Sequence, residues 1–572
     1  MVRTIRNPTL IAVACATALA TVLVAGTALM IGGCSRHHTD PGPLNAMVSP
    51  AIPPAAQEIP NPLRGQYEDL LEPLFPQRDL AQQRYPAWPA SHDASLRVTW
   101  RQLQPTDPAT LPPDAPDDLR FDFSVIDDAL TKLAERHMRL TLRVQAYNSC
   151  CNPSYPDNTN IEIPDWERAK PGTSTSYSGG AKAPAPGVTQ VVPNFNDPTY
   201  LNDFGQLLAA LGRRYDNDER LSVFEFSGYG DFSENHVAYL RDTLGVPGPD
   251  PDNSERVLGY YSQYRDQNIT KASITQLVAA NVAAFPHTQL VVTPNNPEIT
   301  RQLLSDDVTK KLVAPVGIRS DCLGVYSPLP VWAESGHYPQ TEGALVDKLK
   351  ERLGKAPVIT EWCQLQNGMT PQQYYEKGLH DVIGYHVSMT SSINFPDQDA
   401  TSPMDPKLYV LWAQANAVAG YRYSVEARPG SQSLQDNTAS ISVNWTNYGA
   451  AAATEKWAAA YRVVDFTGQT VRVIPGSVNL RGLVPDSSGS GSSDTPPPVS
   501  AAETVRVELK GLPPGHYTLR AAVEWQQHKP NGSHAVNYPP MRLARDGRDD
   551  AGFYPIATLD VPRSVLSTPG QV

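Results

Sequence analysis

Two glutamates stand out by type and place: Glu234 in the run FEFSGYGDFSENH and Glu361 in VITEWCQ. Each closes or follows a short apolar, β-rich run, where a parallel strand hands its side chains to a cleft. Two carboxyls facing one bond from either side suit glycosidic cleavage. One donates a proton to the departing oxygen, and the other attacks the anomeric carbon or activates water. Polar groups at comparable strand ends form a candidate substrate-binding lining: Arg101, Asn148, Asn235, His236, Asn295, Asp321, His386 and Asn394. Trp100 and Trp362 are candidates for stacking on the apolar face of a sugar. No histidine pair or cysteine spacing suits a metal, and a Gly-x-Ser-x-Gly elbow and a glycine-rich phosphate turn are both missing. No metal and no cofactor are expected.

These residues need strands to position them. Short β-branched runs are predicted as strands over 63–67, 96–100, 140–146, 221–227, 289–293, 313–319, 357–361 and 384–391. Between them, apolar residues recur at three- and four-residue spacing over 125–137, 201–215, 274–285, 342–354 and 406–420, the helix period. Strand–helix alternation implies parallel pairing, and eight units imply a closed (β/α)8 TIM barrel over 61–420. A doubly wound open sheet also alternates but gives no reason to stop at eight. Beyond 420 the pattern becomes short alternating strands (421–427, 440–447, 459–465, 471–473, 504–509, 516–524 and 553–559) with Gly, Pro and Asn turns. That is an all-β sandwich domain over 421–572. The segment 486–500, DSSGSGSSDTPPPVS, has the composition of a disordered insert.

The amino terminus reads as an address. Arg3 and Arg6 precede an apolar run that ends in Gly32-Gly33-Cys34, so residues 1–33 are expected to be a secretory signal. The run also has the length of an uncleaved membrane helix, about 20 residues. The cysteine directly after two small residues looks like the lipobox of bacterial lipoproteins. That resemblance implies lipidation of Cys34, a Pro-rich tether over 34–60, and a membrane partner held by acyl chains outside the cytoplasm. A net charge of −12 argues against nucleic acid as a partner. The oligomeric state is not legible. In an oxidising compartment Cys150, Cys151, Cys322 and Cys363 are expected to pair. Cys322 and Cys363 follow neighbouring strand tips and are a possible disulfide, while Cys150 and Cys151 can bridge each other or reach elsewhere.

The order of parts resembles the clan of retaining glycoside hydrolases whose acid/base follows strand four and whose nucleophile ends strand seven. It is also similar to a group of secreted bacterial barrel proteins of undetermined function. These share an NP-x-RG opening (Asn61 to Gly65), a W-x-x-L-x-P turn (Trp100 to Pro105), a G-x-x-x-E segment (Gly230 to Glu234) and a trailing β-sandwich. The resemblance covers about 61–559. It implies Glu234 as general acid/base, Glu361 as nucleophile and a carbohydrate substrate. Where the clan places Asn before the acid/base, this chain has Ser233 before and Asn235 after, which leaves Glu225 as a substitute.

Plainer roles compete. Glu361 can pair with Arg101 or Arg143, Glu225 can be a buried hydrogen-bond partner, and Asp321 can cap its loop. Arg101 can form a structural ion pair, and His236 and His386 can be ordinary hydrogen-bonding residues. The rival to a surface-anchored glycosidase is a non-catalytic glycan-binding or envelope-structural lipoprotein on the same barrel.

Overall fold

The computed structural model describes residues 59, 61–70, 91–149, 158–178, 188–391, 405–428, 433–561 and 563, apart from short interruptions at 243, 247, 263–265, 337, 364, 436 and 487–492. The signal, Cys34, the tether apart from Ile59, Cys150, Cys151 and Asn394 lie outside the described residues. No helix among the described residues is long and apolar enough to cross a membrane.

Eight parallel strands close into a barrel. They are β1 (Gly65–Asp69), β2 (Ser91–Thr99), β3 (Arg139–Gln145), β7 (Leu221–Glu225), β8 (Gln289–Val292), β9 (Gly317–Leu323), β10 (Val358–Trp362) and β11 (Met389–Ser391). They pair in the order β1-β11-β10-β9-β8-β7-β3-β2. The strands β4 (Thr159–Asn160), β5 (Ser174–Ser178) and β6 (Thr189–Pro193) form a small sheet in the connection after β3.

Strand alternation sorts the side chains. In β3, Leu140, Leu142 and Val144 join the layer between strands and helices, while Arg139, Thr141 and Arg143 turn into the barrel. In β2, Ala94, Leu96 and Val98 pack outward and Asp93, Ser95 and Arg97 inward. Register places Arg97 level with Arg143. The lumen carries an apolar patch of Leu63, Tyr67, Val223, Val291, Ile359 and Met389. Arg97 and Arg143 lie on the mouth side of it, and Asp93 and Arg139 on the foot side.

Helices sheathe the barrel where sequence gives them a start and a stripe. Pro198–Tyr215 begins on Asp197, whose carboxylate accepts from the Thr199 amide at 2.8 Å, and buries Leu201, Phe204, Leu207, Leu208 and Leu211. The helix Pro371–Gly384 was not expected. It is built on a capping box between Thr370 and Gln373 and occupies Gly384, which the sequence reading gave to the eighth strand. Strand six also starts later than expected and runs through Asp321 to Leu323.

After the helix Pro406–Val418 come two antiparallel sheets. In one, β14 (Thr438–Asn447) pairs with β12 (Tyr423–Ala427), β13 (Ser433–Gln435) and β17 (Val499–Glu508). The other has the order β16 (Thr470–Pro475), β15 (Trp457–Val464), β18 (Gly515–Trp525) and β19 (Tyr554–Val561). Their facing side chains, among them Trp445, Tyr461, Val507 and Leu519, make a second core. The expected disordered insert is corrected at its far end. Val499 and Ser500 already belong to β17, where the Ser500 hydroxyl meets that of Thr446 at 2.8 Å.

The sandwich packs against the amino-terminal end of the barrel, opposite the mouth. Arg139 at the foot of β3 binds Glu455 at 2.7 Å and stands over the Trp525 and Tyr538 rings. Lys529 donates to the carbonyls of Asp218 and Leu221, both at 2.9 Å, and to the Thr288 hydroxyl at 2.8 Å. The sandwich therefore braces the barrel from below, and none of its described residues joins the carboxyl cluster at the mouth.

Candidate active site

At the carboxyl ends of the strands five carboxyls meet three guanidiniums. The carboxyls are Asp69, Glu225, Glu234, Asp321 and Glu361; the guanidiniums are Arg97, Arg143 and Arg319. Strand alternation explains why these residues face one another. Arg143 and Glu225, like Arg319 and Asp321, sit at inward positions of their strands, and Glu361 follows Ile359 two residues later on β10.

Glu361 accepts from both Arg97 and Arg319, and both guanidiniums land on Oε2. No hydrogen bond falls on Oε1 among the described residues, so that oxygen is available to the mouth. The expected partners Arg101 and Arg143 are not the ones used. Arg101 pairs with Asp165 at 3.2 Å, and Arg143 binds Glu225 at 2.5 Å and Glu234 at 3.2 Å.

Glu234 is carried by a strained turn. Gly230 has φ +84°, and a Cβ there would lie 2.5 Å from the His236 carbonyl oxygen. Phe232, Ser233 and Asn235 also take positive φ (51°, 60° and 62°), which side-chain-bearing residues seldom adopt. The surroundings over-determine the turn, as strained functional loops require. The Ser233 hydroxyl donates to the Val144 carbonyl (2.7 Å), the Asn235 amide group to that of Thr293 (2.8 Å), and the Asn295 amide group to that of Glu234 itself (3.0 Å). Asp231 below accepts from the Ser149 amide at 2.7 Å.

One oxygen each of Glu234, Asp321 and Glu361 lies within 4.8 Å of the others. That spacing is small enough for a cation, but Arg97, Arg143 and Arg319 already press on the same carboxylates and would repel one. The charge this excess of carboxyls recruits is a proton. Burial raises Glu361 to about 7, with the two guanidiniums opposing and Asp321 reinforcing. Burial, reinforced by Asp321, also raises Glu234, against His236 and Arg143. Asp321 goes the other way: burial favours its neutral form, but Arg319, Arg143 and Arg97 outweigh it and hold the carboxylate well below its usual range. Glu225 is held low in the same manner by Arg143 and Arg319 against burial. His236 stands 3.5 Å from Glu234. Burial disfavours its imidazolium, yet Glu234 and Asp231 raise it to about 9. The Glu234–His236 pair thus keeps a proton at neutral pH.

The remaining expected residues divide. Asn148 stays at the tip of β3 but its side chain bonds Glu162. Asn295 donates its amide nitrogen to the Glu234 turn and is half-buried, whereas Asn235 is fully buried as an anchor and cannot contact a substrate. Trp100 is fully buried among Trp166, Tyr200 and Phe204, and Trp362 packs on Tyr374 and Tyr375. Neither can stack on a sugar. Trp362 follows inward-facing Glu361 directly, so alternation sends it to the helix side, where Gly378 leaves room for its ring. His386 precedes β11 at the foot of the barrel and bonds the Ala450 carbonyl of the sandwich at 2.9 Å, far from the mouth. Arg97, Arg319 and Tyr67 join the site without having been expected in it: Tyr67 and Arg319 close predicted strands but were given no role, and Arg97 lies below the tip of its strand. The Tyr67 hydroxyl accepts from Arg319 at 2.6 Å. The polar–apolar alternation of β2 was the signal for Arg97. Cys322 and Cys363 form a disulfide, with Cα atoms 4.4 Å apart, that ties the ends of β9 and β10 beside the carboxyls.

No family profile matches the chain. No curated protein matches it either. Among solved structures it is similar to an endo-glycoceramidase II from Rhodococcus sp. at 12% identity, covering 77% of this chain and 96% of that one, with a TM-score of 0.37. An endo-β-1,4-mannanase from Thermotoga petrophila is 7% identical over 83% and 96% of the two chains, with a TM-score of 0.33. A xylanase from Cellvibrio japonicus is 8% identical over 65% and 99%, with a TM-score of 0.31.

Proposed function

We propose that this protein is a retaining glycoside hydrolase with Glu234 as proton donor and Glu361 as nucleophile, acting on an extracellular or cell-envelope glycan. One observation carries the reading. Carboxyl oxygens of Glu234 and Glu361, brought from the fourth and seventh barrel strands, lie within 4.8 Å of each other at the mouth. Retaining enzymes hold their two carboxyls about 5–5.5 Å apart, and inverting ones leave roughly 6.5–9.5 Å for a water.

In the first step Glu361 Oε1 attacks the anomeric carbon while Oε2 stays on Arg97 and Arg319. Glu234 gives its proton to the departing glycosidic oxygen, leaving a glycosyl ester on Glu361 and a free alcohol. In the second step Glu234, now a carboxylate, takes a proton from water; the hydroxyl oxygen attacks the same carbon and the ester to Glu361 breaks. The two guanidiniums stabilise the carboxylate as leaving group. Labelling with a 2-deoxy-2-fluoroglycoside tests this: the expected adduct is one sugar on Glu361. Turnover that persists in Glu361→Gln removes the nucleophile role.

The same two guanidiniums favour a second reading, a glycan-binding barrel in which Glu361 is only an ion-pair partner. Oligosaccharide binding without cleavage over long incubation would establish it. We also propose that Cys34 carries a lipid that holds the barrel at a membrane outside the cytoplasm, supported by the Gly32-Gly33-Cys34 ending of the apolar run. Detergent-phase partitioning that is lost in Cys34→Ala tests the anchor.

A further inference from the structure

The geometry points to Asp321 as a positioning residue that keeps the proton on Glu234, standing between the acid/base and the nucleophile without itself touching the sugar bond. Its catalytic consequence rests on the glycosidase reading; the arrangement itself does not.

Four observations carry it. Asp321 lies within 4.8 Å of both Glu234 and Glu361, so it is the third member of their cluster. Its Oδ1 is taken by Arg319 Nε at 2.9 Å, with Arg143 Nη2 at 3.8 Å. Its Oδ2 is buried and receives no hydrogen bond from any N–H or hydroxyl among the described residues. The Glu234 carboxyl is within hydrogen-bonding reach of Asp321. A buried carboxylate oxygen without a donor is unfavourable, and a protonated Glu234 supplies the missing donor.

The division of charge follows from the neighbours. Asp321 faces Arg319 on its own strand, Arg143 on β3 and Arg97 on β2. Glu234 faces Asp321, His236 and one arm of Arg143, with Asp231 beneath. Glu225 occupies Arg143 from the other side, and Glu361 and Tyr67 share Arg319. Three guanidiniums favour the anion on Asp321, and an anion at that distance favours the neutral acid on Glu234. Asp321 itself stays ionised through both steps, so no atom is transferred to or from it.

The test is a titration that needs no substrate. In the full chain labelled with 13C at glutamate carboxyls, the Glu234 resonance is assigned by its loss in Glu234→Gln. In Asp321→Asn its midpoint is expected to fall by about one pH unit or more, because an anion is removed and two guanidiniums are released. Asp321→Glu, which keeps the charge, is expected to move it back towards the wild-type value. An unchanged midpoint in a folded Asp321→Asn overturns the proposal. Should that variant not fold, the wild type decides: a Glu234 midpoint at or below the ordinary glutamate value of about 4.3 also overturns it. With aryl glycosides, Asp321→Asn is expected to move the alkaline limb of the rate profile to lower pH. It should slow poor leaving groups more than 2,4-dinitrophenolate, whereas a merely structural defect slows both alike. Absence of any glycoside turnover by the wild type defeats the glycosidase reading and leaves the titration to judge Asp321.

Discussion

Arg319 holds Glu361 with one nitrogen of its guanidinium and Asp321 with another, Nε to Oδ1 at 2.9 Å. The side chain is fully buried, and its burial is tolerated because carboxylates surround it. Replacing it by Met leaves those carboxylates with only Arg97, on Glu361, and the more distant Arg143, beside Asp321, as cations. A loss of about 3–5 kcal/mol in stability is expected, read from urea unfolding followed at several wavelengths. Lys in its place keeps the charge but cannot bond two carboxylates and Tyr67 at once; it should fold better than Met yet remain far less active than wild type.

The two glutamates separate by leaving group. Glu234→Gln removes only proton donation, so hydrolysis of an alkyl or sugar leaving group is expected to fall by about 10²–10⁴-fold. A dinitrophenyl glycoside, which needs no acid, should still form the glycosyl-enzyme, and azide should accelerate its release. Equal losses on both substrates would argue against the acid role.

Activity should follow the proton inventory of the cluster. Glu361 must be ionised to attack, and its carboxyl is raised to about 7, so the rate is expected to climb as pH rises through about 7. The midpoint belongs to the coupled cluster as a whole. A profile already flat from pH 5 upward would contradict it.

Stability should run the opposite way over part of that range. Asp93, fully buried, is raised to about 7 by burial, against Arg139 and the Leu63 amide. A raised carboxyl means the folded chain binds a proton that the unfolded chain has released. Its contribution is fully present below about 4, the unfolded value, and is lost as pH rises through about 7. Glu162, raised to about 7 by burial, acts in the same direction. The melting temperature is therefore expected to decline between about pH 5 and 7.5. Asp93→Asn should flatten that decline and keep the Leu63 amide bonded through its carbonyl oxygen.

The barrel was legible because eight strand–helix units are a coarse pattern that survives errors of several residues at each boundary. The site was legible in part. Glu234, Glu361, Asp321 and His236 were found from position, but Arg97 lies below its strand tip, where alternation in SHDASLRVT had to be followed inward. The tryptophans misled because a single residue step along a strand changes the face, so Trp362 beside Glu361 belongs to the outer layer. His386 was misplaced for a different reason. The helix Pro371–Gly384, overlooked in a polar stretch, ends two residues before it and puts it at the foot of the barrel.

The disulfide gives a prediction that separates stability from geometry. Cys322 and Cys363 are 41 residues apart, and closing such a loop is worth about 3–4 kcal/mol in the unfolded-state entropy account. Cys322 directly follows Asp321, and Cys363 lies two residues after Glu361. Reduction, or the double change to Ser, is expected to lower the melting temperature. It should also lower kcat at temperatures where the chain remains folded, because both carboxyl-bearing strand ends lose their tie. An unchanged kcat would confine the bond to stability.

The direction of the chain at its entry bears on what the mouth can reach. Asn61 exchanges hydrogen bonds with the backbone of Arg542 in the sandwich, both at 2.9 Å, just before β1 begins at the foot of the barrel. All eight strands run from that end towards the carboxyl cluster, so the described chain enters opposite the mouth. A lipid on Cys34 would therefore join the barrel, through the residues before Ile59, at the end opposite the mouth. A soluble form beginning after Cys34 is then expected to hydrolyse a soluble glycan with kcat/KM within about twofold of the anchored protein, since the anchor supplies location and no contact to the cleft. The measurement compares both forms on one soluble oligosaccharide and on the same glycan attached to lipid in vesicles. A large advantage of the anchored form on the soluble glycan as well would contradict that, and one on the vesicle-bound glycan alone would show that the anchor acts by bringing the mouth to membrane-held glycan.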